Sequence, residues 1–175
     1  LRLNPSPEQG TLERRIDAAN WRRPIDTIQL LIFTLDDQRY ALRLDHVKRV
    51  VRAAALTQLP KAPDVVMGIL DLHGEIVPVI NLRRRFKLPE RPVASSDQFV
   101  IARTGRLTLA LVVDGSEGVI EPPSADIVAA DEIVAGDGFV AGVTRTADGL
   151  VLIHDLDALL FPHEEEQIAA ALART

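Results

Sequence analysis

The stretch GILDLHGEIVPVINLRRRF, Gly68–Phe86, decides how the rest of the chain reads. It runs glycine, apolar strand, a His73-Gly74 turn, a second apolar strand, Asn81 as a helix cap, and a leucine-led helical turn ending on phenylalanine. The pattern predicts strands over Val65–Leu72 and Glu75–Ile80 and a short helix over Leu82–Phe86. Gly68 and Gly74 are expected to answer backbone needs, a bulge and a turn. Pro78 has no N–H to give a ladder, so its strand needs an edge or a bulge there. A second stretch, GVTRTADGLVLIHDLDALLF (Gly142–Phe161), repeats the order and reads as carrying one extra turn residue. A repeated unit of this kind supports two similar β halves.

Working outward, Gln29–Leu35 and Arg39–Leu44 make a hairpin through Asp36-Asp37-Gln38. Asp45 then reads as the cap of a helical turn carrying Val47, Val50 and Val51. Gln98–Arg103 and Leu107–Val113 are strands around Thr104-Gly105. Phe139–Arg145 and Leu150–Ile153 pair through Asp148-Gly149, and Asp155 opens a short helix over Leu156–Phe161. Many short strands separated by turns indicate barrels or sandwiches. The long crossover helices of a parallel βαβ sheet are missing. At the N-terminus, Ser6-Pro7-Glu8-Gln9 starts a helix with Leu12, Ile16 and Ala19 on one stripe, closed by Arg22-Arg23-Pro24. That helix either docks loosely on the main domain or meets a partner. A C-terminal helix is expected over His163–Arg174, with Glu164, Glu165 and Glu166 at the positive end of its dipole. The expected organisation is therefore a helical extension over 1–27, a β domain over 28–162 and a closing helix over 163–175.

Composition narrows the chemistry. The chain has 175 residues, 47% hydrophobic and 26% charged, with a formal net charge of −5. It is large enough to bury a core without staples. With Cys 0, thiol catalysis, disulfides and thiolate–zinc sites are excluded. A mildly acidic protein lacks the basic face that nucleic acid requires. The apolar runs are too short for a membrane-spanning helix, and Leu1-Arg2-Leu3-Asn4-Pro5 lacks the layout of an export signal. His46, His73, His154 and His163 are scattered, so neither a metal nor a cofactor is expected. Ser6, Ser95, Ser96, Ser116 and Ser124 sit in turn or capping contexts, with no nucleophile elbow. Gly136-Asp137-Gly138 reads as a turn rather than a phosphate loop. His154-Asp155 and its counterpart Asp45-His46 read as caps at strand ends before catalytic pairs, and no catalytic residue is assigned. Arg83-Arg84-Arg85 with Lys87 is the one concentrated basic run. It reads as a solvated helix face or a contact for an acidic protein surface.

Gly68–Phe86 also carries a resemblance, shared by Leu30–Val51 (LLIFTLDDQRYALRLDHVKRVV), Leu59–Gly68 (LPKAPDVVMG) and Leu109–Ile120 (LALVVDGSEGVI). From about Gln29 to Leu160 the chain resembles the CheW family of chemotaxis coupling proteins. The resemblance implies a mainly β fold of two SH3-like five-stranded β-barrel subdomains packed together. It also implies a non-enzymatic, cytoplasmic adaptor joining chemoreceptor tips to the CheW-like regulatory domain of the histidine kinase CheA, and meeting membranes only through receptors. Carried over by position, Val47 lines the receptor groove and Leu56 lies near a barrel–barrel contact with the kinase. Two positions depart from the family pattern. Arg49 stands where a glutamate is frequent, and His73 replaces the arginine of Asn-Leu-Arg-Gly. If the two face one another as their counterparts do, His73 should be neutral near pH 7. The other readings are a CheW-like module of a larger or specialised signalling polypeptide, which the missing initiating methionine leaves open, and, remotely, a small-molecule or nucleic-acid binding barrel.

Overall fold

The structure is a computed structural model and describes residues 27–130 and 138–175. The expected N-terminal helix and most of the Gly136–Gly138 turn lie outside the described residues. The first hairpin is β1 (Leu30–Leu35) and β2 (Gln38–Arg43), followed by a 3-10 turn at Leu44–His46 and β3 (Val47–Arg52). Next come β4 (Val66–Leu72), β5 (Glu75–Ile80) and the single-turn helix α1 (Leu82–Arg85). The second half adds β6 (Gln98–Arg103), β7 (Thr108–Val113), β8 (Gly115–Ile120) and the short β9 (Ile127–Ala129). The chain closes with β10 (Val140–Thr146), β11 (Gly149–His154), a 3-10 turn at Leu156–Ala158 and helix α2 (Pro162–Leu172).

These strands form two sheets, ordered β8-β1-β2-β11-β10-β9 and β3-β6-β7-β5-β4. The halves read along the sequence are not the two barrels. Each opening hairpin hands its next strand to the other sheet: β3 pairs with β6, and β8 pairs with β1. Each sheet also gains a parallel pairing, β11 on β2 and β5 on β7.

Alternation along the strands explains why so many are apolar on both faces. Leu31, Phe33 and Leu35 of β1, with Val100 and Ala102 of β6, point into one central core shared by both sheets. Leu30 and Ile32 point instead into the first barrel, against Ala41, Val151 and Ile153. Phe99 and Ile101 fill the second barrel with Leu70, Val77, Val79 and Ala110. A two-barrel body with a common hydrophobic wall follows directly. Helix α2 belongs to that body, since Ile168 enters the central core and Ala171 packs on Leu59 and Ile69.

The internal repeat is tighter than the sequence suggests. Both β-turns are two residues long, between Leu72 and Glu75 and between Thr146 and Gly149. One register therefore runs unbroken from Gly68 and Gly142 to the caps Asn81 and Asp155, and the additional residue falls after the cap. The two glycines share a physical role. A Cβ on Gly68 would lie 2.6 Å from the Thr57 carbonyl oxygen, and one on Gly142 would lie 2.8 Å from that of Val128. Each admits a neighbouring chain segment to the barrel edge at a bulge. In the first barrel that segment is β9, a sixth strand; in the second it is only the bridge Thr57–Ile69.

Two local expectations change. The segment after Asp45 is the strand β3, not a helical turn. A bulge between Val47 and Arg49 puts Val47 and Val50 on the same face, which mimics helical spacing. Pro78 lies in an interior strand rather than an edge, and the bulge near it is on β4. The ladder to β7 begins at Val79, so no partner strand asks Pro78 for an N–H on that side.

Candidate functional site

The residues singled out by sequence gather on the second barrel. Val47 opens β3 half-buried, its side chain packed on the central core beside Val50. Arg49 is exposed at the β3 bulge, and His73 is exposed at the tip of the β4–β5 turn. The structure brings these elements together through Lys48, whose Nζ lies 3.5 Å from Glu75 Oε1 and donates to Thr108 Oγ1 at 3.1 Å. It makes no hydrogen bond between Arg49 and His73, and neither has an ion pair among the described residues. His73 adopts φ 56° and Gly74 φ 91°, and the Gly74 N–H donates to Asp71 Oδ1 at 2.6 Å. Two successive positive φ angles make a tight hairpin turn that an L-residue with a large side chain adopts against its preference.

Leu56 is half-buried against the second barrel's interior core. It borders an open cleft of about 430 Å³ lined by Ala53, Ala54, Ala55, Val93, Ala94 and Ser95. Small side chains leave this rim shallow and apolar.

The basic run is not a solvated face. Arg83 is buried: Nη1 and Nη2 fork onto the two Asp36 oxygens (3.0 and 2.8 Å), and Nη2 alone also reaches both Asp114 oxygens (2.9 and 2.8 Å). The Arg85 side chain is largely covered, its Nη2 donating to Glu164 Oε2 of α2 at 2.5 Å while its guanidinium lies 4.7 Å from the Phe161 ring centre. Of the run, Arg84, paired with Glu90, and Lys87 stay exposed. Sequence reasoning missed these partners because they lie far along the chain. Its one signal was that a one-turn helix cannot place three consecutive arginines all in water.

Electrostatics follow from these contacts. Hydrogen bonds from Arg83 hold the Asp36 carboxyl below the usual carboxylate range, and those from Arg91 do the same for Asp97. His154 behaves differently. Its ring stacks on Phe86 with centres 4.4 Å apart and tilts against Tyr40 at 5.3 Å. Nδ1 donates to the Phe139 carbonyl at 3.0 Å, while Nε2 is buried without a partner. Burial pushes its pKa down to about 4. Asp155 accepts from the Asp157 N–H, so the His154-Asp155 pair is a core ring beside a cap.

A family model described as CheW-like domain matches residues 29–161. The chain is 29% identical over 150 residues to a chemotaxis protein CheW of Treponema pallidum, covering 82% of this chain and 88% of that one. It is 26% identical over 134 residues to a chemotaxis protein CheW of Bacillus subtilis, covering 75% and 86%. Among solved structures it resembles the scaffolding protein TtCheW from Thermoanaerobacter tengcongensis, with TM-score 0.72 and 27% identity over 79% of this chain and 95% of that one. With two interleaved barrels on a shared core and a family match that spans both, the chain belongs to the CheW-like domain family.

Proposed function

We propose that this chain is a non-enzymatic chemotaxis adaptor that holds a chemoreceptor tip and the regulatory domain of the histidine kinase CheA at once. In this reading Val47, Arg49 and His73 meet the receptor, Leu56 meets the kinase, and the protein reaches the membrane only through receptors. The observation that carries it is a two-barrel body matching a scaffolding protein over 95% of that protein's length. Supporting it, the exposed Arg49 and His73 and the shallow cleft at Leu56 are surfaces suited to holding macromolecules rather than enclosing a substrate.

The test is titration of the cognate receptor tip and the kinase regulatory domain, separately and together. Val47→Asp is expected to weaken receptor capture by about tenfold or more, as loss of a central anchor does, with kinase binding unchanged and circular dichroism intact. Arg49→Glu with His73→Arg is expected to raise affinity for a receptor of the ordinary family type. Equal loss of both partners in either variant overturns the assignment of these residues to the receptor.

A further inference from the structure

Where the two barrels meet, five charged side chains interlock: Asp36 in the β1–β2 turn, Arg83 on α1, Arg91 in the following loop, Asp97 before β6, and Asp114 between β7 and β8. Asp114 is the hub. Its oxygens accept from Arg83, from Arg91 at 2.8 Å and from the Asp36 backbone N–H at 2.7 Å, while its own N–H donates to the Thr34 carbonyl. Arg91 also forks onto Asp97, which is 2% exposed. Asp36, at φ 52° in the two-residue β1–β2 turn, accepts from Arg83.

We infer that this cluster is a clasp that sets the angle at which the two barrels meet. Its members come from both sides of the junction. Asp36 belongs to the first barrel, Arg83, Arg91 and Asp97 to the second, and Asp114 sits where the chain crosses from β7 of one to β8 of the other. The shared core holds the barrels together, but hydrophobic burial is non-directional and tolerates sliding. Forked guanidinium–carboxylate pairs are directional, since both N–H bonds hold only over a narrow range of angles. Arg83 reaches across the junction with its fork onto Asp36 while the same Nη2 holds Asp114, so a change of angle breaks bonds to one or the other. The inference rests on this geometry alone and is independent of which partners the protein binds.

The test uses pulsed electron–electron resonance on the full chain. With Cys 0 in the sequence, Ile76→Cys on β5 and Val128→Cys on β9 give one label on each barrel, both at exposed positions. Asp36→Asn removes the carboxylate charge and one acceptor of the fork from Arg83, and asparagine tolerates the positive φ, so the turn keeps its shape. Asp114→Asn weakens the hub. Each is expected to shift the mean label distance by about 1–2 Å, the scale of interface sliding, or to broaden its distribution, with far-UV circular dichroism unchanged. Asp37→Asn, which alters charge at the next residue of the same turn, is expected to leave the distribution as in the parent. A parental distribution in both Asp36→Asn and Asp114→Asn overturns the clasp and leaves the angle to the core. If Asp114→Asn does not fold, Asp36→Asn decides alone.

Discussion

Replacing His154 with phenylalanine should remove a defined part of the protein's acid sensitivity. The imidazole is 5% exposed, clustered with the Phe86 and Tyr40 rings, which also stack on each other, and its one hydrogen bond uses Nδ1. Protonation would place a charged N–H on Nε2, where no acceptor waits. Burial therefore lowers the folded pKa from 6.5 to about 4. Between these values the unfolded chain binds a proton that the folded chain refuses. Stability then rises with pH across that window, is fully present above the unfolded pKa, and is lost as pH falls toward the folded one. A gap of roughly 2.5 pK units corresponds to about 3 kcal/mol. Phenylalanine keeps the stack, and the Phe139 carbonyl still accepts the Asp155 N–H at 2.9 Å. Urea unfolding followed by circular dichroism from pH 7.5 to 4 should show the parent losing about 3 kcal/mol and the variant losing less than about 1 kcal/mol. Asp36 and Asp97, both held below the usual carboxylate range, act on the two proteins alike and at lower pH. Parallel curves would refute the burial argument.

Gly68→Ala should destabilise by about 1–3 kcal/mol, because its new methyl meets the Thr57 backbone oxygen. Gly74→Ala, with φ 91° and open space around it, should lose only about 1 kcal/mol from backbone strain; denaturant midpoints of the pair test the order. Glu164→Gln leaves the buried Arg85 guanidinium without its counter-charge and should cost about 3–5 kcal/mol. Adding Arg85→Met to that variant should restore most of the loss, and a second variant no better than the first would show that the pair's charge is not what matters.

Legibility in the sequence followed the range of the forces involved. The β4–β5 hairpin was readable because its turn, His73-Gly74, carries the required residues; the β10–β11 hairpin was readable one residue out of place, since its turn is Ala147-Asp148 and Gly149, at φ 119°, opens β11. The caps Asn81 and Asp155 were readable for the same reason, each accepting an N–H a few residues on. β3 was misread because its bulge gives Val47 and Val50 a helical interval. β8, with two glycines and two polar residues among Gly115–Ile120, has little strand character of its own and exists because β1 offers it a ladder. The arginine run was misread because charge partners are non-local: Arg83 meets Asp36 and Asp114, and Arg85 meets Glu164 from the far end of the chain. Of the candidate site, the resemblance singled out Val47, Arg49 and His73 for a receptor groove and Leu56 for a barrel–barrel contact, but nothing in the sequence pointed to the charged junction between the barrels.

The strand exchange between the sheets has a consequence for biosynthesis. β1 waits for β8, and β2 waits for β11, whose Ile153 pairs with Ala41, so the first barrel stays open until β11 has left the ribosome. Such distant pairings slow folding. The segment up to α1 and the segment from β6 onward each lack strands that their sheets require. Severed in the loop between α1 and β6, the two fragments should remain unstructured alone and acquire native form only by complementing each other.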